Sequence, residues 1–346
     1  MKSGKWITLS FIYIGTVIGA GFASGQEIIK FFGVFGIKGL LGIIVSGILF
    51  CIIGIIILVS VYKNDLSGYQ EFLISIFGDK LSTILEALIL FFLFGGYCVM
   101  LAGSGAIFLE QFHLPYNIGI FIMGIATLIT FLFSIKGISV VNEIIVPLLL
   151  VGITILSILV ISKEGLVFSN YNGAEISITG NWLTSSILYV SYNCIPVLVV
   201  MSTLSSIIPN KVEAIKGGLF GGLGLGILSA FILVPLLILY TDVFGLEIPM
   251  LKMAEYLGKN GKTIYSLILW CAMFTTAIAN GFGCIRRVSK ITMIDERLFS
   301  IFFVFLTIPM AKVGFSKLIS ILYPLYGIIG VPILVSIILS FILKKI

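Results

Sequence analysis

Two adjacent threonines, Thr275 and Thr276, lie in the middle of a long apolar run and could do specific chemistry there. Their hydroxyls are neutral oxygens, and a monovalent cation inside a membrane protein is held by neutral oxygens that replace its hydration shell. A threonine in a membrane helix can instead return its hydroxyl to the carbonyl one turn earlier, which would give the pair a structural role only. The pair therefore predicts either part of a cation site or a helix whose own carbonyls accept both hydroxyl hydrogens.

The stretch from Ile14 to Glu27, IGTVIGAGFASGQE, could supply another part of such a site. It contains four glycines, although each glycine costs about 1 kcal/mol relative to alanine inside a helix. A break here would free carbonyls near Val17 and Ile18, which suit a small cation, and N–H groups from Ala20 to Ser24, which suit a carboxylate. It would survive in a membrane only where it faces protein or a cavity. The alternative is a row of small residues for close helix packing.

The composition indicates that these residues lie in a lipid bilayer. Of 346 residues, 59% are hydrophobic and 10% are charged, and the mean hydropathy is +1.22. This is too little polar surface for a soluble globule. The apolar runs are too long for the alternating strands of a barrel, which predicts an all-α integral membrane protein. Ten spans are expected, at about residues 6–32, 38–62, 80–110, 115–134, 138–161, 182–208, 214–241, 262–286, 297–313 and 317–343.

The basic residues predict the orientation of the chain. Of 21 lysines and arginines, thirteen fall on the side of the N-terminus and eight on the other side. Because cytoplasmic loops carry the excess, both termini are expected in the cytoplasm of a multi-pass protein of the cell membrane. The scattered charges form no patch for nucleic acid. The first apolar run is too long for a signal-peptide core, and the five cysteines fall inside spans, so neither a cleaved leader nor a disulfide framework is expected.

The spans divide into two groups of five around a polar outer connection, residues 163–181, which contains the turn signal Asn172-Gly173. Residues 1–162 and 182–346 would then be two repeats. Each repeat opens with a span that contains a helix-breaking cluster, and in the second repeat this cluster is Val190–Pro196. Paired broken helices at corresponding positions are typical of inverted-repeat secondary transporters. We therefore predict a 5+5 inverted repeat with helices 1 and 6 broken.

Three carboxylates and one outer segment have several interpretations. Glu27, Glu86 and Glu143 lie in or near apolar runs, where ionisable residues are costly and are functional candidates. Glu27 could close an outer gate, contact a substrate amine or cap a helix, and it is our gating or coupling candidate. Glu143 suits a solvated position as well as a proton relay. The segment Phe244–Leu257 could be a lid over an outer vestibule or an interfacial helix.

These features together resemble the LeuT-fold transporters of the APC superfamily and, within them, the YkvI-like family of bacterial membrane proteins. The likeness covers essentially the whole chain. In sodium-coupled members, one Na⁺ lies between two carbonyls of broken helix 1, a carbonyl of helix 8 and two hydroxyls of an Ala-x-x-Thr-Ser/Thr motif. The resemblance implies that the sodium ligands here are Gly15, Ile18, Ala272, Thr275 and Thr276.

The resemblance also implies a substrate site. It assigns the substrate carboxylate to the N–H groups of Ala20 and Gly21. Relatives that carry monoamines have an aspartate at the position of Gly19, and its absence implies a substrate with its own carboxylate, such as a small zwitterionic amino acid. The implied substrate-site residues are Thr16, Gly19, Ala20, Gly21, Phe22, Tyr97, Ser191, Tyr192 and Asn193.

Two departures from related carriers bear on the coupling ion. Phe22 stands where amino-acid carriers of the neurotransmitter type have an asparagine that holds a further Na⁺, so the resemblance implies one coupled ion. Proton-coupled relatives have a lysine in span five in place of the sodium. Span five here has none. Sodium is therefore expected over that proton mechanism.

The sequence thus predicts a sodium-coupled symporter that works by alternating access. One alternative is a ligand-sensing receptor or accessory subunit that keeps the fold without transport, and another is a proton-coupled carrier. A channel is disfavoured because no continuous polar stripe crosses the spans. An enzyme is disfavoured because the sequence offers no nucleophile–base–acid set or metal cluster. The oligomeric state stays open.

Overall fold

The computed structural model describes residues 4–64, 68–133, 138–168 and 179–343. Every regular element in these ranges is helical, which confirms the all-α class. Short 3-10 helices at Gly33–Phe35, Ser205–Ile207 and Ala254–Leu257 lie between the α-helices. The α-helices are α1 (Lys5–Val17), α2 (Ala20–Ala23), α3 (Gln26–Phe31), α4 (Lys38–Asn64), α5 (Tyr69–Phe112), α6 (Tyr116–Phe133), α7 (Ile138–Glu164), α8 (Trp182–Met201), α9 (Lys211–Ile238), α10 (Tyr240–Val243), α11 (Pro249–Met253), α12 (Gly258–Thr292), α13 (Glu296–Ala311) and α14 (Phe315–Ile342).

Eight helices in the described ranges are long and apolar enough to cross a membrane. The first and ninth predicted spans are not among them. The first is divided into α1, α2 and α3, and α1 has 13 residues, while the ninth is α13, with 16 residues. At 1.5 Å per residue, α13 is about 24 Å long, which is shorter than a hydrocarbon core of ~30 Å. Helix length therefore does not establish ten spans, and that count remains a prediction.

The third span begins with a kink. The first part of α5 precedes this span, and the part long and apolar enough to cross a membrane is Ile84–Phe112. Between them Gly78 has φ 70° and ψ 172°. A positive φ is costly for residues with a Cβ, so glycine at this position permits the change of direction. The kink leaves Tyr69 beside the C-terminal part of α12, where it contacts Arg287.

Four of the contacts between helices form two reciprocal pairs. Helix α1 packs on α9 while α8 packs on α4, and α7 contacts α12 while α14 contacts α5. In terms of the predicted spans, span 1 contacts span 7 and span 6 contacts span 2, while span 5 contacts span 8 and span 10 contacts span 3. The two contacts of each pair are interchanged when spans one to five are exchanged with spans six to ten. Two repeats related by an axis in the membrane plane would produce this pattern. The repeat boundaries, 1–162 and 182–346, remain a prediction.

Glycines bring α4 and α9 into backbone contact. A Cβ added to Gly218 would overlap the backbone between Gly54 and Ile55, and a Cβ added to Gly222 would overlap the backbone of Cys51. In lipid there is little hydrophobic force between helices, so small residues that permit close approach favour their association. Close helix packing, which was considered as a role for the glycines of the first span, is therefore what the glycines of α4 and α9 permit.

We expect Gly222→Ala to destabilise the fold by about 1–3 kcal/mol, because the added methyl group must push α9 away from α4. The measurement is the midpoint of thermal unfolding of the purified protein in detergent. Gly124→Ala is the matched control, since the atom nearest its added Cβ would be Val304 Cγ1 at 3.5 Å, an ordinary contact distance. Equal midpoints for the two variants would contradict the close contact.

Candidate functional site

The first span is interrupted at Ile18 and Gly19, as the sequence predicts. Helix α1 ends at Val17, Ile18 has ψ 88°, and Gly19 is extended, with φ −97° and ψ −175°. Above the break, the first N–H to bond within the upper segment is that of Ala23, which donates to the carbonyl of Gly19 at 3.0 Å. The first amides of α2 therefore lie at the break without a helical partner.

Protein donors satisfy the irregular backbone above the break. Ser24 Oγ donates to the carbonyl of Gly21 at 2.6 Å, and Gly25 has φ 80° where α3 begins. Tyr265 of α12 donates its hydroxyl to the carbonyl of Ala23 at 2.7 Å. Non-helical backbone at membrane depth persists only where protein or a cavity replaces water, and on this side protein does so.

The segment between spans seven and eight lies against this turn. The N–H of Met250 donates to the carbonyl of Ser24 at 3.1 Å, and Met250 is fully buried. Its side chain lies next to Gly25. Glu110 of α5 holds the same segment by accepting two of its backbone N–H groups, at 2.6 and 3.1 Å. The segment Phe244–Leu257 therefore lies against the broken span, as a lid would.

The sixth span is not broken at Val190–Pro196, so that prediction was wrong. Helix α8 runs without interruption through these residues to Met201. Pro196 removes only one helical N–H bond. Two of the polar side chains before it bond within the helix, because Ser191 Oγ and Asn193 Nδ2 donate to carbonyls one turn earlier at 2.7 and 2.9 Å. Neither of these side chains therefore needs a break in the helix.

A cavity of about 1060 Å³ lies against the break in the first span. Its walls come from α1 and α2, α5, the middle of α7, the second half of α8, and α12. Most of the lining is apolar, as in small-molecule sites generally. Among the described residues, the polar side chains of the lining are those of Thr8, Thr16, Tyr69, Thr276, Asn280 and Arg287.

The cavity opens on the side of the N-terminus and is closed on the side of the lid. Its lining residues Thr8, Phe11 and Ala279 are exposed. In contrast, every residue from Ala20 to Ile29 is buried. With the predicted orientation of the chain, this is an inward-open arrangement.

Four of the five predicted sodium ligands line this cavity. Gly15 and Ile18 lie on the first span and Ala272 and Thr276 on α12, while Thr275 is buried and outside the lining. The hydroxyls of Thr275 and Thr276 both donate to the carbonyl of Ala272, at 3.0 and 2.8 Å. This is the helix-internal bond considered from the sequence. A hydroxyl that donates keeps its oxygen lone pairs, so the bond is compatible with a cation at the same oxygen.

The predicted substrate residues fall into two groups. Thr16, Gly19 and Ala20 line the cavity. No atom lies within 4 Å of the position that a Cβ on Gly19 would take, so Gly19 borders open space. The residues that do not line the cavity are Gly21, Phe22, Tyr97, Ser191, Tyr192 and Asn193.

Tyr97 contacts helices on another side of the bundle. Its hydroxyl shares a hydrogen bond of 2.7 Å with Thr127 Oγ1 of α6. Its ring packs against Phe131 and against Phe303 of α13. These contacts give Tyr97 a packing role in the structure described here.

Glu27 is buried on the closed side of the break. Its carboxylate accepts a hydrogen bond from the hydroxyl of Tyr192 in α8 and lies against Gly21, where a Cβ would overlap it. The hydroxyl of Tyr323 in α14 lies 3.3 Å from the same Cβ position. No salt bridge involves Glu27 in the described ranges of the chain. Glu27 therefore connects the first span to the sixth through a tyrosine rather than through a basic side chain.

Sequence reasoning missed Asn280 and Arg287 as cavity residues. They follow Thr276 by four and eleven residues, and at 3.6 residues per turn these spacings put all three on one face of α12. These two residues could have been found from the sequence by taking Thr276 as the inward-facing position of the helix and asking which polar residues share its face.

At the mouth of the cavity the charge of Arg287 is paired. Arg287 Nη2 lies 2.8 Å from Glu86 Oε2, and Arg287 also donates to the hydroxyl of Tyr69. Gln70 donates to Glu86 at 2.6 Å. This network joins the N-terminal part of α5 to the C-terminal part of α12, and it gives Glu86 a structural role.

The described residues offer no acidic metal site. No group of three or more His, Cys, Asp or Glu residues in the described ranges is placed to hold a metal ion. The side chain of Glu143, the other carboxylate considered from the sequence, lies outside the described residues.

The chain has two relatives over nearly its whole length. It is 32% identical over 332 residues to a Bacillus subtilis protein named "Uncharacterized membrane protein YkvI", with 95% of this chain and 94% of that protein covered. It is 30% identical over 341 residues to "Uncharacterized protein YyaD" of the same organism, with 99% and 97% covered. No model of a known protein family matches the chain.

Solved structures similar to the chain are transporters, not enzymes. A manganese transporter of Eremococcus coleocola has a TM-score of 0.63 and 12% identity, over 97% of this chain and 80% of that one. Mhp1, a nucleobase-cation-symport-1 family transporter in a closed conformation with bromovinylhydantoin bound, has a TM-score of 0.60 and 16% identity, over 97% and 78%. Inward-facing Mhp1 has a TM-score of 0.58 and 14% identity, over 95% and 74%. These likenesses establish a LeuT-type transporter fold.

We expect Tyr192→Phe to loosen the closed side of the first span. The change removes a buried hydrogen bond to Glu27, and a bond to an acidic group is worth about 1.5–3 kcal/mol. Amide hydrogen exchange in α3 should therefore rise roughly ten- to hundredfold. The matched control is Tyr97→Phe, which removes one buried tyrosine hydroxyl bond elsewhere. Unchanged exchange in α3 of the Tyr192 variant would show that this bond does not hold the closed side.

Proposed function

The chain belongs to the family of membrane proteins that includes YkvI and YyaD of Bacillus subtilis, and from this family and its fold we propose that it is a sodium-coupled secondary transporter. The proposed cycle is alternating access, with both termini in the cytoplasm of the cell. The observation that carries the proposal is the break at Ile18 and Gly19, which borders the cavity.

One Na⁺ is proposed between the first span and α12. Gly15 and Ile18 would supply carbonyls from one side of the cavity, and Ala272 and Thr276 would supply oxygens from the other. Thr275 would complete the set as α12 adjusts, since its hydroxyl already bonds to the carbonyl of Ala272. A cation shared by two helices stabilises the conformation in which they are close, and this difference in affinity is what couples an ion to a conformational change.

The proposed substrate is a small solute with a carboxylate, such as a zwitterionic amino acid. Thr16, Gly19 and Ala20 line the cavity beside the free amides of α2. Open space beside Gly19 leaves room for a substrate against the backbone. The substrate and the ion would then lie on the two sides of one break. Gly21 and Phe22, and the polar residues of α8, would reach a substrate only in another conformation.

The manganese carried by one structural neighbour is not the substrate proposed for this chain. Manganese, the cargo of one neighbour, is suited to carboxylate, carbonyl and water ligands. Among the described residues of this chain, no three or more His, Cys, Asp or Glu side chains are grouped to hold a metal ion. A small organic solute is better matched to an apolar cavity with a few polar side chains.

A proton-coupled carrier is the second candidate, and Glu27 is the observation that favours it. A buried carboxyl group inside a membrane protein that bonds to a hydroxyl instead of a cation is a candidate proton site. Sodium coupling predicts uptake driven by a sodium gradient, whereas proton coupling predicts uptake driven by a pH gradient.

The test is uptake of radiolabelled amino acids by the full chain in proteoliposomes. We expect accumulation when a sodium gradient is imposed and none with choline at constant pH. Uptake driven equally by a pH gradient without sodium would support the proton-coupled alternative. Ligand-induced thermal stabilisation without any uptake would support a non-transporting sensor and overturn the transporter.

Thr276→Ala should weaken sodium dependence. Loss of one of about five oxygens around the ion is expected to raise the sodium concentration for half-maximal uptake by at least about tenfold. Thr276→Ser keeps the hydroxyl and should retain most of the sodium affinity. Thr154→Ala removes a threonine that also bonds back to its own helix but lies outside the cavity lining, so it should leave sodium dependence unchanged. Equal sodium curves for Thr276→Ala and Thr154→Ala would exclude the proposed ion site.

Gly19→Val should block uptake without unfolding the protein. The added side chain enters space that contains no protein atom within 4 Å of its Cβ, and the extended backbone at Gly19 suits a β-branched residue. We expect uptake to fall to background while the thermal midpoint changes little. Full uptake by this variant would show that the substrate does not pass Gly19.

A further inference from the structure

Asn280 differs from the other polar residues that line the cavity. Thr16 and Thr276 bond to carbonyls of their own helices, and Arg287 bonds to Tyr69 and Glu86. Thr8 lies at the exposed mouth. Within the described part of the chain, the side chain of Asn280 has no hydrogen-bond partner, and it is only partly exposed.

The side chain of Asn280 is held in place by packing. It lies against the bare backbone of Gly96 in α5, where an added Cβ would be 2.5 Å from Asn280 Nδ2. On α12 it is one turn from Thr276 and faces the same cavity. The amide is thus fixed between two helices, close to the proposed ion, and its polar atoms are left for the contents of the cavity.

The charges of the cavity restrict what Asn280 can recognise. Arg287 is the charged residue in the described lining, and Glu86 already neutralises it. A substrate amino group would find no carboxylate in that lining, so a neutral acceptor must receive its hydrogens. An asparagine offers both an acceptor oxygen and donor hydrogens.

From this geometry we infer that Asn280 is a specificity-determining residue, whose amide oxygen accepts a hydrogen bond from the amino group of a substrate that brings its own negative charge. The inference rests on the proposed transport function and narrows its substrate class to amino acids over amines and simple carboxylic acids. Because an acceptor left unpaired in a buried site is costly, a solute without the amino group is rejected.

The experiment uses the full chain in proteoliposomes with sodium. The twenty proteinogenic L-amino acids are first tested singly as radiolabelled probes. The amino acid with the largest sodium-dependent uptake is then compared with its decarboxylated amine and its deaminated acid as competitors.

We expect wild-type uptake to be inhibited by the amino acid at least about tenfold more strongly than by either analogue. Asn280→Leu should lower the affinity for the amino acid at least about tenfold and leave the thermal midpoint near that of the wild type. Asn280→Asp supplies a fixed negative charge, so it should shift inhibition toward the amine at least about tenfold relative to the amino acid. Asn117→Leu is the matched control, because Asn117 is exposed and outside the cavity lining.

The outcomes separate the inference from the function on which it rests. If the wild type takes up none of the amino acids, the proposed function fails. If it takes up an amino acid but Asn280→Leu has unchanged affinity, or Asn280→Asp has unchanged preference between amino acid and amine, only the inference about Asn280 is overturned. A shift in preference in the aspartate variant supports it even if the leucine variant fails to fold.

Discussion

A polypeptide backbone that leaves its helix inside a membrane must find new partners for its N–H and carbonyl groups, and the structure around Ile18 and Gly19 depends on this constraint. Hydrocarbon offers no such partner, and each unsatisfied group costs several kcal/mol. Above the break the partners are supplied by other segments, since Tyr265 bonds to Ala23 and Met250 to Ser24. Below and beside the break the backbone faces a cavity. The same requirement therefore explains both the closed side and the open one.

The two sides of the break differ in the interactions that lie across them. The lid side is sealed by a buried methionine, by backbone hydrogen bonds and by Glu27 with Tyr192, all of which depend on short distances. The other side is open, and at its rim Arg287, Glu86 and Tyr69 form a partly exposed network between α5 and α12. Partly exposed ion pairs contribute little to stability, so this network adds little to the free energy of the conformation. The glycine contact of α4 with α9 involves none of these residues.

The family, the fold and the chemistry of the site rest on different observations. Two relatives at about 30% identity over nearly the whole chain place it in a family, whereas solved transporters at 12–16% identity share only its fold. A fold can support many functions, and function is decided by the site. Here the site is an apolar cavity beside a helix break, with neutral oxygens on two facing helices. That chemistry is the basis of the function proposed above.

The sequence alone was sufficient for the membrane class, the interruption of the first span and the helix that carries the facing threonines. These depend on local properties, namely hydropathy over a span and the accumulation of glycines in one stretch. It left open whether Phe244–Leu257 is a lid or an interfacial helix, and the structure places Met250 of this segment against the broken span. What failed was the break in the sixth span, because a proline removes one hydrogen bond and the adjacent polar side chains could bond within their own helix. Only the tertiary structure decided which faces of the helices meet: it turned Tyr97 toward α6 and joined Glu27 to Tyr192. A helix hydrophobic on all sides gives no sequence signal of its inward face, so that choice is made by packing against its neighbours.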